Sequence, residues 1–452
     1  MSDVRTFGAV GDGEHDDTVA LQHAMSEGDG VLELGKGSFR ITRPLILDTT
    51  TRGYVGVRGE QGTARLLMDG AGPALQIIGD HHGTATPKTV QPHTWGKERF
   101  PVISGLEILG RHPEADGIQL LHTMQTTVQN VLIRNCRHGI HLAKRNRNFL
   151  LNASHIYDCS DTGVFFDHCN LHQVIISANH ISYCKRAGIR QLDGDVHNIQ
   201  ITGNDIEYNS GAEGTTGEIV LEAPNETISE YTIASNTLQA TRPARDANVL
   251  ILGRKGVNAT AARLIAITGN VIGSRDKSIL INDASKVNIS GNTIYDGIAL
   301  NVEMNDCQNV VIGANTIGTR PINWNSTSND GVLLRRCIGA VVANNMLNDI
   351  RAGDEKQGGA ITLQACRDSS VSGCQILNPH IRGIDVQGSQ RCKISDNSVT
   401  EQRDESQMLN AIRVAEDSRQ CLVQNNAVTG GTNAPIDCPG EKGKESGNTI
   451  WE

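Results

Sequence analysis

QITGNDIEYN, residues 200–209, is the phrase on which the chain turns. Its core ITGNDI returns as ISANHI ending at Ile181, ITGNVI ending at Ile272, ISGNTI ending at Ile294 and IGANTI ending at Ile317. Looser copies surround Asn236, Asn345, Asn397 and Asn426, and SGNTI closes the series near the C-terminus. The register asparagine falls at Asn179, Asn204, Asn236, Asn270, Asn292, Asn315, Asn345, Asn397, Asn426 and Asn448. Cys374 stands in its place in VSGCQI and Ser154 in NASHI, and Val131 and Leu106 carry the register upstream. Steps run from 22 to 34 residues.

A second phrase, small-Gly-Ile-x-Leu, keeps step with the first. It reads DGIQL from Asp116, HGIHL from His138, TGVFF from Thr162, AGIRQ from Ala187 and GEIVL from Gly217. It continues as KSILI from Lys277, DGIAL from Asp296, DGVLL from Asp330, GAITL from Gly359, RGIDV from Arg382 and NAIRV from Asn410. Each repeat therefore holds two or three short strands of period two, separated by Gly, Asn and Asp turns. A repeat this short cannot bury its own face, but stacked copies can. The expected fold is all-β: a single-stranded right-handed parallel β-helix spanning 1–452 as one domain. Isoleucines stack inside it, and the repeated Asn forms an amide ladder or a left-handed turn. Leucine-rich repeats are disfavoured by the β-branched content and the uneven step.

Composition narrows the function classes. The 452 residues include 48 Gly, and aromatics make up 3%. A net charge of -9 disfavours a general nucleic-acid binder, and no nucleic-acid motif is present. No apolar run reaches membrane length, and no signal peptide is visible, so the chain as it stands reads as cytoplasmic unless a leader was removed. The eleven cysteines lack zinc spacing and read as small buried thiols in a stack.

The N-terminus adds a cap. In residues 3–25, DVRTFGAVGDGEHDDTVALQHAM, a Gly-Asp-Gly turn leads to Asp16, Asp17 and Thr18, which can start a helix. Val19, Leu21, Ala24 and Met25 give it an apolar face, and the helix, near 16–26 within a cap of 1–30, plugs the open first coil. This opening, with GKGSFRI after it, resembles the N-terminus of the pectate-lyase-like superfamily. The resemblance covers roughly residues 3–47; beyond them it rests on the repeat. It implies a β-helix that acts on or binds carbohydrate, since relatives include pectin and alginate lyases, polysaccharide hydrolases, uronan epimerases and phage tailspikes. The chain departs from two subfamilies: it lacks the Gly-His-Gly and Arg-Ile-Lys of pectin hydrolases and the Asp-Pro-His-Glu of alginate epimerases. Asp12, Asp16 and Asp17 are expected to be cap residues, not catalysts.

Residues 79–101, GDHHGTATPKTVQPHTWGKERFP, form an inserted loop of three His and one Trp with no strand period. Trp95 can stack on the apolar face of a sugar. No framing motif marks its histidines as metal ligands, so neither a metal nor another cofactor is expected.

Residues 102–225 carry the densest side-chain chemistry. Within Gly-Ile-x-Leu the Ile and Leu point inward, and the residues between and after them point out. One outward row reads Gln119, His141, Phe165, Arg190 and Val220; the next reads Leu121, Ala143, Asp167, Leu192 and Glu222. Asp167, Asp193 and Glu222, on successive coils, are the candidate catalytic carboxylates, one kept protonated by burial and like charge. His141, His168, Arg190, Lys185 and Trp95 are the candidate substrate-binding residues. The expected activity is glycosidic hydrolysis of a poly- or oligosaccharide. The alternatives are β-elimination from a uronate, with His168, Lys185 or Arg190 as base, and tailspike-like glycan binding without turnover.

Farther on, the outward row turns apolar at Leu250, Leu280, Ala299 and Leu333. Such a stripe needs a cover. Loops 235–262 and 318–329 or neighbouring subunits can supply it, and a homotrimer is expected. Residues 431–452 are expected to be a last partial coil closed by Trp451.

Overall fold

The computed structural model describes residues 2–240, 244–256, 259–320, 328–439 and 443–451. Apart from the N-terminal helix and short helical turns, regular structure there is β, in short parallel strands stacked coil on coil as a right-handed β-helix. The chain divides into two compact units, Met1–Thr232 and Ile233–Glu452.

In the first unit each coil lays down strands on three faces. One face stacks Leu45–Asp48, Gly72–Ile78, Ala115–Leu121, His138–Asn152, Thr162–Ser177, Ala187–Leu192 and Gly217–Glu222. The pairing is in register: Ile118 lies beside Ile140, Ile140 beside Val164, Val164 beside Ile189 and Ile189 beside Ile219. All five are fully buried, and each such side chain contributes about 1.5–3 kcal/mol. Gln191 takes a core position where its neighbours carry Leu or Phe. It is satisfied there, donating to the carbonyls of Asp193 and Thr227 and accepting from the buried Tyr231 hydroxyl. Strands His138–Asn152 and Thr162–Ser177 run through a corner onto the next face, with the register shifting after Ala143. Lys144 and His168 sit at that corner with φ of 62° and 44°.

The register asparagines form the ladder. In the first unit Asn204 Oδ1 accepts from the backbone N–H and the side-chain amide of Asn179, each at 3.0 Å. Asn179 Oδ1 in turn accepts from the backbone of Ser154. In the second unit the same step runs from Asn236 through Asn270, Asn292 and Asn315 to Asn345, and from Asn397 through Asn426 to Asn448. Cys374 fills the gap, its backbone donating to Asn397. The left-handed residue is not the asparagine but the one before it. Gly203, Gly269 and Gly291 have φ of 65–66°, and Ala178 and Ser235 adopt φ of 56° at the equivalent place.

Stacking begins earlier than residue 30: Ser2–Asp3 pairs with Val31–Leu34, and Asp12–Asp16 with Gly37–Ile41. The helix Thr18–Glu27 lies ahead of the strand Leu45–Asp48, and the Gln22 amide both donates to and accepts from the backbone of Ile46. It thereby blocks a sheet edge that would otherwise be free to pair. Leu21, Ala24 and Met25 are buried, but Val19 is 68% exposed and leaves the predicted apolar face. The three aspartates are structural. Asp17 accepts from the backbone of Val10 and Gly11, Asp16 from the Thr18 backbone, and Asp12 from Glu14 and His15.

Two expectations for the second unit are corrected, the strand at DGIAL and the place of Ala299 in the outward row. DGIAL is not a strand: Asp296 to Ala299 form a turn whose Gly297 N–H donates to Asn301 and Asp330. The strand is Leu300–Asn305, so Glu303, not Ala299, stands between Leu280 and Leu333 in the outward row. Glu303 pairs with Lys277 and Arg335 and interrupts the aliphatic stripe that motivated a trimer. Of the expected covering loops, 241–243, 257–258 and 321–327 lie outside the described residues. Thr319 and Arg320 instead bond Asp330 and Asp296. A last partial coil is present: Gly443–Ser446 pairs with Cys421–Gln424 and Thr449–Trp451 with Ala427–Thr429, and Trp451 there is 46% exposed. The thiols are as expected: all eleven are free, and all but Cys438 are buried.

Candidate functional site

The outward rows of the first unit fall as the period-two pattern requires. Gln76, Gln119, His141, Phe165, Arg190 and Val220 are successive cross-strand neighbours. So are Leu121, Ala143, Asp167, Leu192 and Glu222.

A hydrogen-bonded relay crosses four coils. Gln76 Nε2 donates to Gln119 Oε1 at 2.6 Å, and Gln119 Nε2 lies 3.1 Å from His141 Nδ1. With Gln119 donating, the proton of a neutral His141 sits on Nε2, which reaches Asp167 Oδ2 at 3.1 Å. The other Asp167 oxygen meets His168 Nδ1 at 2.7 Å. The bond from His141 is the main influence on Asp167. With His168 helping, it outweighs burial and brings the Asp167 pKa down to about 2. Asp167 is therefore ionised at neutral pH.

Behind Asp167 the rings form a stack. His141 lies over Phe165 with centroids 5.5 Å apart and planes at 18°, and the Arg190 guanidinium stands 5.4 Å from the Phe165 centroid. Arg190 Nε and Nη2 hold Glu222 Oε2 at 2.9 and 2.8 Å, and Thr215 donates to Glu222 Oε1. Arg190 is only 5% exposed, so this pair is positioned by packing and not by a loose surface contact. Asp116, also buried, accepts two bonds from Arg137 and one from the His138 backbone. Burial holds the neighbouring His138 down to about 4 even though Asp116 and Asp161 pull the other way.

Three site candidates lie apart from this group. Asp193 follows its strand at the corner, with φ of 54°, and accepts from the backbone and side chain of Asn225 and the backbone of Glu226. It fixes that turn. Burial raises its pKa, but those bonds outweigh it and leave a net lowering. Lys185 is exposed in the turn that precedes Ala187–Leu192, at the opposite strand end from Asp193. Trp95 is half-buried on the inserted loop, in the helical turn Thr94–Glu98.

Sequence reasoning placed Phe165 outward without assigning it a role, and it missed Gln76 and Thr215. It also passed over a group in the inserted loop, where Asp80, His93 and Glu98 converge with their ligand atoms within 4.8 Å of one another. The Thr94–Glu98 turn, which folds Glu98 back toward Asp80, has no periodic signature in the sequence.

Known proteins resemble the chain at the level of fold. A family described as right handed beta helix region matches residues 101–241, 217–399 and 255–450. Among solved structures, the Dettilon tailspike protein aligns with a TM-score of 0.53 at 15% identity, over 82% of this chain and 67% of its own. The tailspike of Pseudomonas phage phi297 aligns at 0.45 and 11%, over 98% and 81%. The A-module of a mannuronan C-5 epimerase from Azotobacter vinelandii aligns at 0.42 and 15%, over 98% and 100%. No curated protein sequence matches.

Proposed function

The chain belongs to the right-handed β-helix family, and from that premise we propose that it is a carbohydrate-active enzyme, a glycoside hydrolase with Asp167 as its ionised base. The observation that carries this reading is the carboxylate of Asp167, held between His141 and His168 on an outward row and kept near a pKa of 2. Such a group is charged at neutral pH and faces outward, where a carboxylate can orient a water against the sugar or attack it directly. Glu222 stands two coils along the same row, a backbone spacing of about 9.6 Å at about 4.8 Å per coil. That is near the upper end of the carboxylate separation used by inverting glycosidases, about 6.5–9.5 Å.

Glu222 supplies the acid in this scheme. Arg190 holds it in the resting site. A sugar bound across the row places its leaving oxygen at Glu222, which takes up a proton from solvent and passes it to that oxygen while Asp167 accepts one from the attacking water. Asp193 is left a structural role at its turn. His168 and Arg190 orient the sugar, and Lys185 and Trp95 extend the contact outward.

Elimination is the second reading. It is favoured by the imidazole of His168, 62% exposed in its side chain and braced by Asp167, with Lys144 at the equivalent corner of the preceding coil. Incubation with a panel of neutral, uronate and sulfated polysaccharides separates the readings. New reducing ends without ultraviolet absorbance of an unsaturated sugar support hydrolysis. Absorbing products establish elimination. Binding without either product overturns both.

A further inference from the structure

We propose that the inserted loop carries a binding site for one divalent transition-metal ion of the zinc class, formed by Asp80, His93 and Glu98. His93 Nε2 lies 2.9 Å from Asp80 Oδ2 and 3.5 Å from Glu98 Oε1. In a four-coordinate zinc site, metal–ligand bonds of about 2.0–2.2 Å put ligand atoms about 3.4 Å apart. With all ligand atoms within 4.8 Å of one another, the group needs a shift of at most about 1.4 Å to match. His93, 50% exposed in its side chain, has room to make that shift.

Charge argues for a cation as well. Two carboxylates converge on His93, with His82 on the far oxygen of Asp80, and one of them, Glu98, is only 3% exposed. With both imidazoles neutral the two carboxylates lack a counter-charge, and a buried uncompensated carboxylate is costly. A divalent ion neutralises both and lets the imidazole bind through its neutral nitrogen. The frame around the group is rigid. Glu98 Oε2 accepts from the Asp80 backbone at 2.7 Å, which fixes the carboxylate across the base of the loop. Gly79 lets it come that close, since a Cβ there would meet the His122 carbonyl at 2.4 Å and Glu98 Oε2 at 3.3 Å. His82 Nε2, 3.1 Å from the other Asp80 oxygen, holds Asp80 from the side away from His93. Mixed imidazole and carboxylate donors suit zinc, cobalt, nickel or iron better than calcium or magnesium. Three protein ligands leave at least one position open.

This site does not depend on the hydrolase reading. Its loop follows the strand Gly72–Ile78 on the face that carries Asp167, so a bound ion would stiffen a wall beside that row. The test is titration of the full chain with Zn²⁺ and with Co²⁺, followed by calorimetry and by the visible spectrum of cobalt. The comparison variants are His93→Ala and Glu98→Gln, with His180→Ala as control for the second carboxylate–imidazole group at His180, Asp205 and Glu207. The site predicts one equivalent that His93→Ala removes or weakens at least tenfold, with the same loss in Glu98→Gln and none in His180→Ala. His93→Ala alters a half-exposed side chain, so it remains informative if Glu98→Gln fails to fold. No binding by the wild-type chain, or equal binding by wild type and His93→Ala, overturns the proposal.

Discussion

Asp167 and His138 lie on neighbouring coils and respond to acid in different windows. The folded pKa of Asp167 is about 2, below the ordinary 3.8. Its ionised form is therefore favoured by folding, and the stability it contributes is complete above about pH 4 and is lost as pH falls toward 2. His138 has a folded pKa of about 4, below the ordinary 6.5. Its neutral form is favoured by folding, so its contribution is present above about pH 6.5 and is lost on the way down to about 4. Equilibrium unfolding as a function of pH should then show two separable slopes. His138→Gln should flatten the upper one and His141→Gln the lower one, because His141 is the main group holding Asp167 charged. A lower window unchanged by His141→Gln would contradict the relay. The outward rows, and with them His141, Asp167 and Arg190 on one face, were legible from period two alone. The partners were not: nothing in the spacing tells that Arg190 chooses Glu222 while His141 chooses Asp167.

A single coil is held to the next by its asparagine, and Asn292 is the clearest test. It is buried and accepts twice from Asn270. It donates to Asn315 Oδ1 and to the carbonyls of Ile267 and Ser290. Asn292→Ala leaves those buried groups unpaired and should cost about 1–3 kcal/mol, read as a lowered midpoint in denaturant. Thr293→Ala, at an exposed neighbour, should stay within about 0.5 kcal/mol. Gly291, at φ 65°, should tolerate Ala better than Val, because a β-branched residue is strained in the left-handed region while Ala178 already occupies the equivalent turn. Equal midpoints for Gly291→Ala and Gly291→Val would contradict that account. The ladder was readable because ITGN repeats with its neighbours. DGIAL misled because it copies the strand phrase while its Gly297 is recruited into a turn by Asn301 and Asp330 and its Asp296 by Arg320. The contact to Asp330 spans 33 residues, a separation that no local pattern encodes.

Across the whole chain, two compact units are built from one repeated coil, and chemistry-bearing side chains gather on the outward rows of Met1–Thr232. A net charge of -9 does not exclude an anionic glycan, because Arg190, Lys144 and Lys185 belong to that unit's coils. The fold was legible because a dozen copies of a phrase average out local ambiguity. The inserted loop was not, because residues 79–101 occur once and have no period to read. The central claim is that Asp167 is the base of a glycan-cleaving site, and the most direct measurement is the rate of reducing-end release by Asp167→Asn, on a polysaccharide that the wild-type chain cleaves. The account predicts a loss of about 10²-fold or more with unchanged circular dichroism, the usual worth of a general base. Full activity in Asp167→Asn would contradict it and place the chemistry elsewhere.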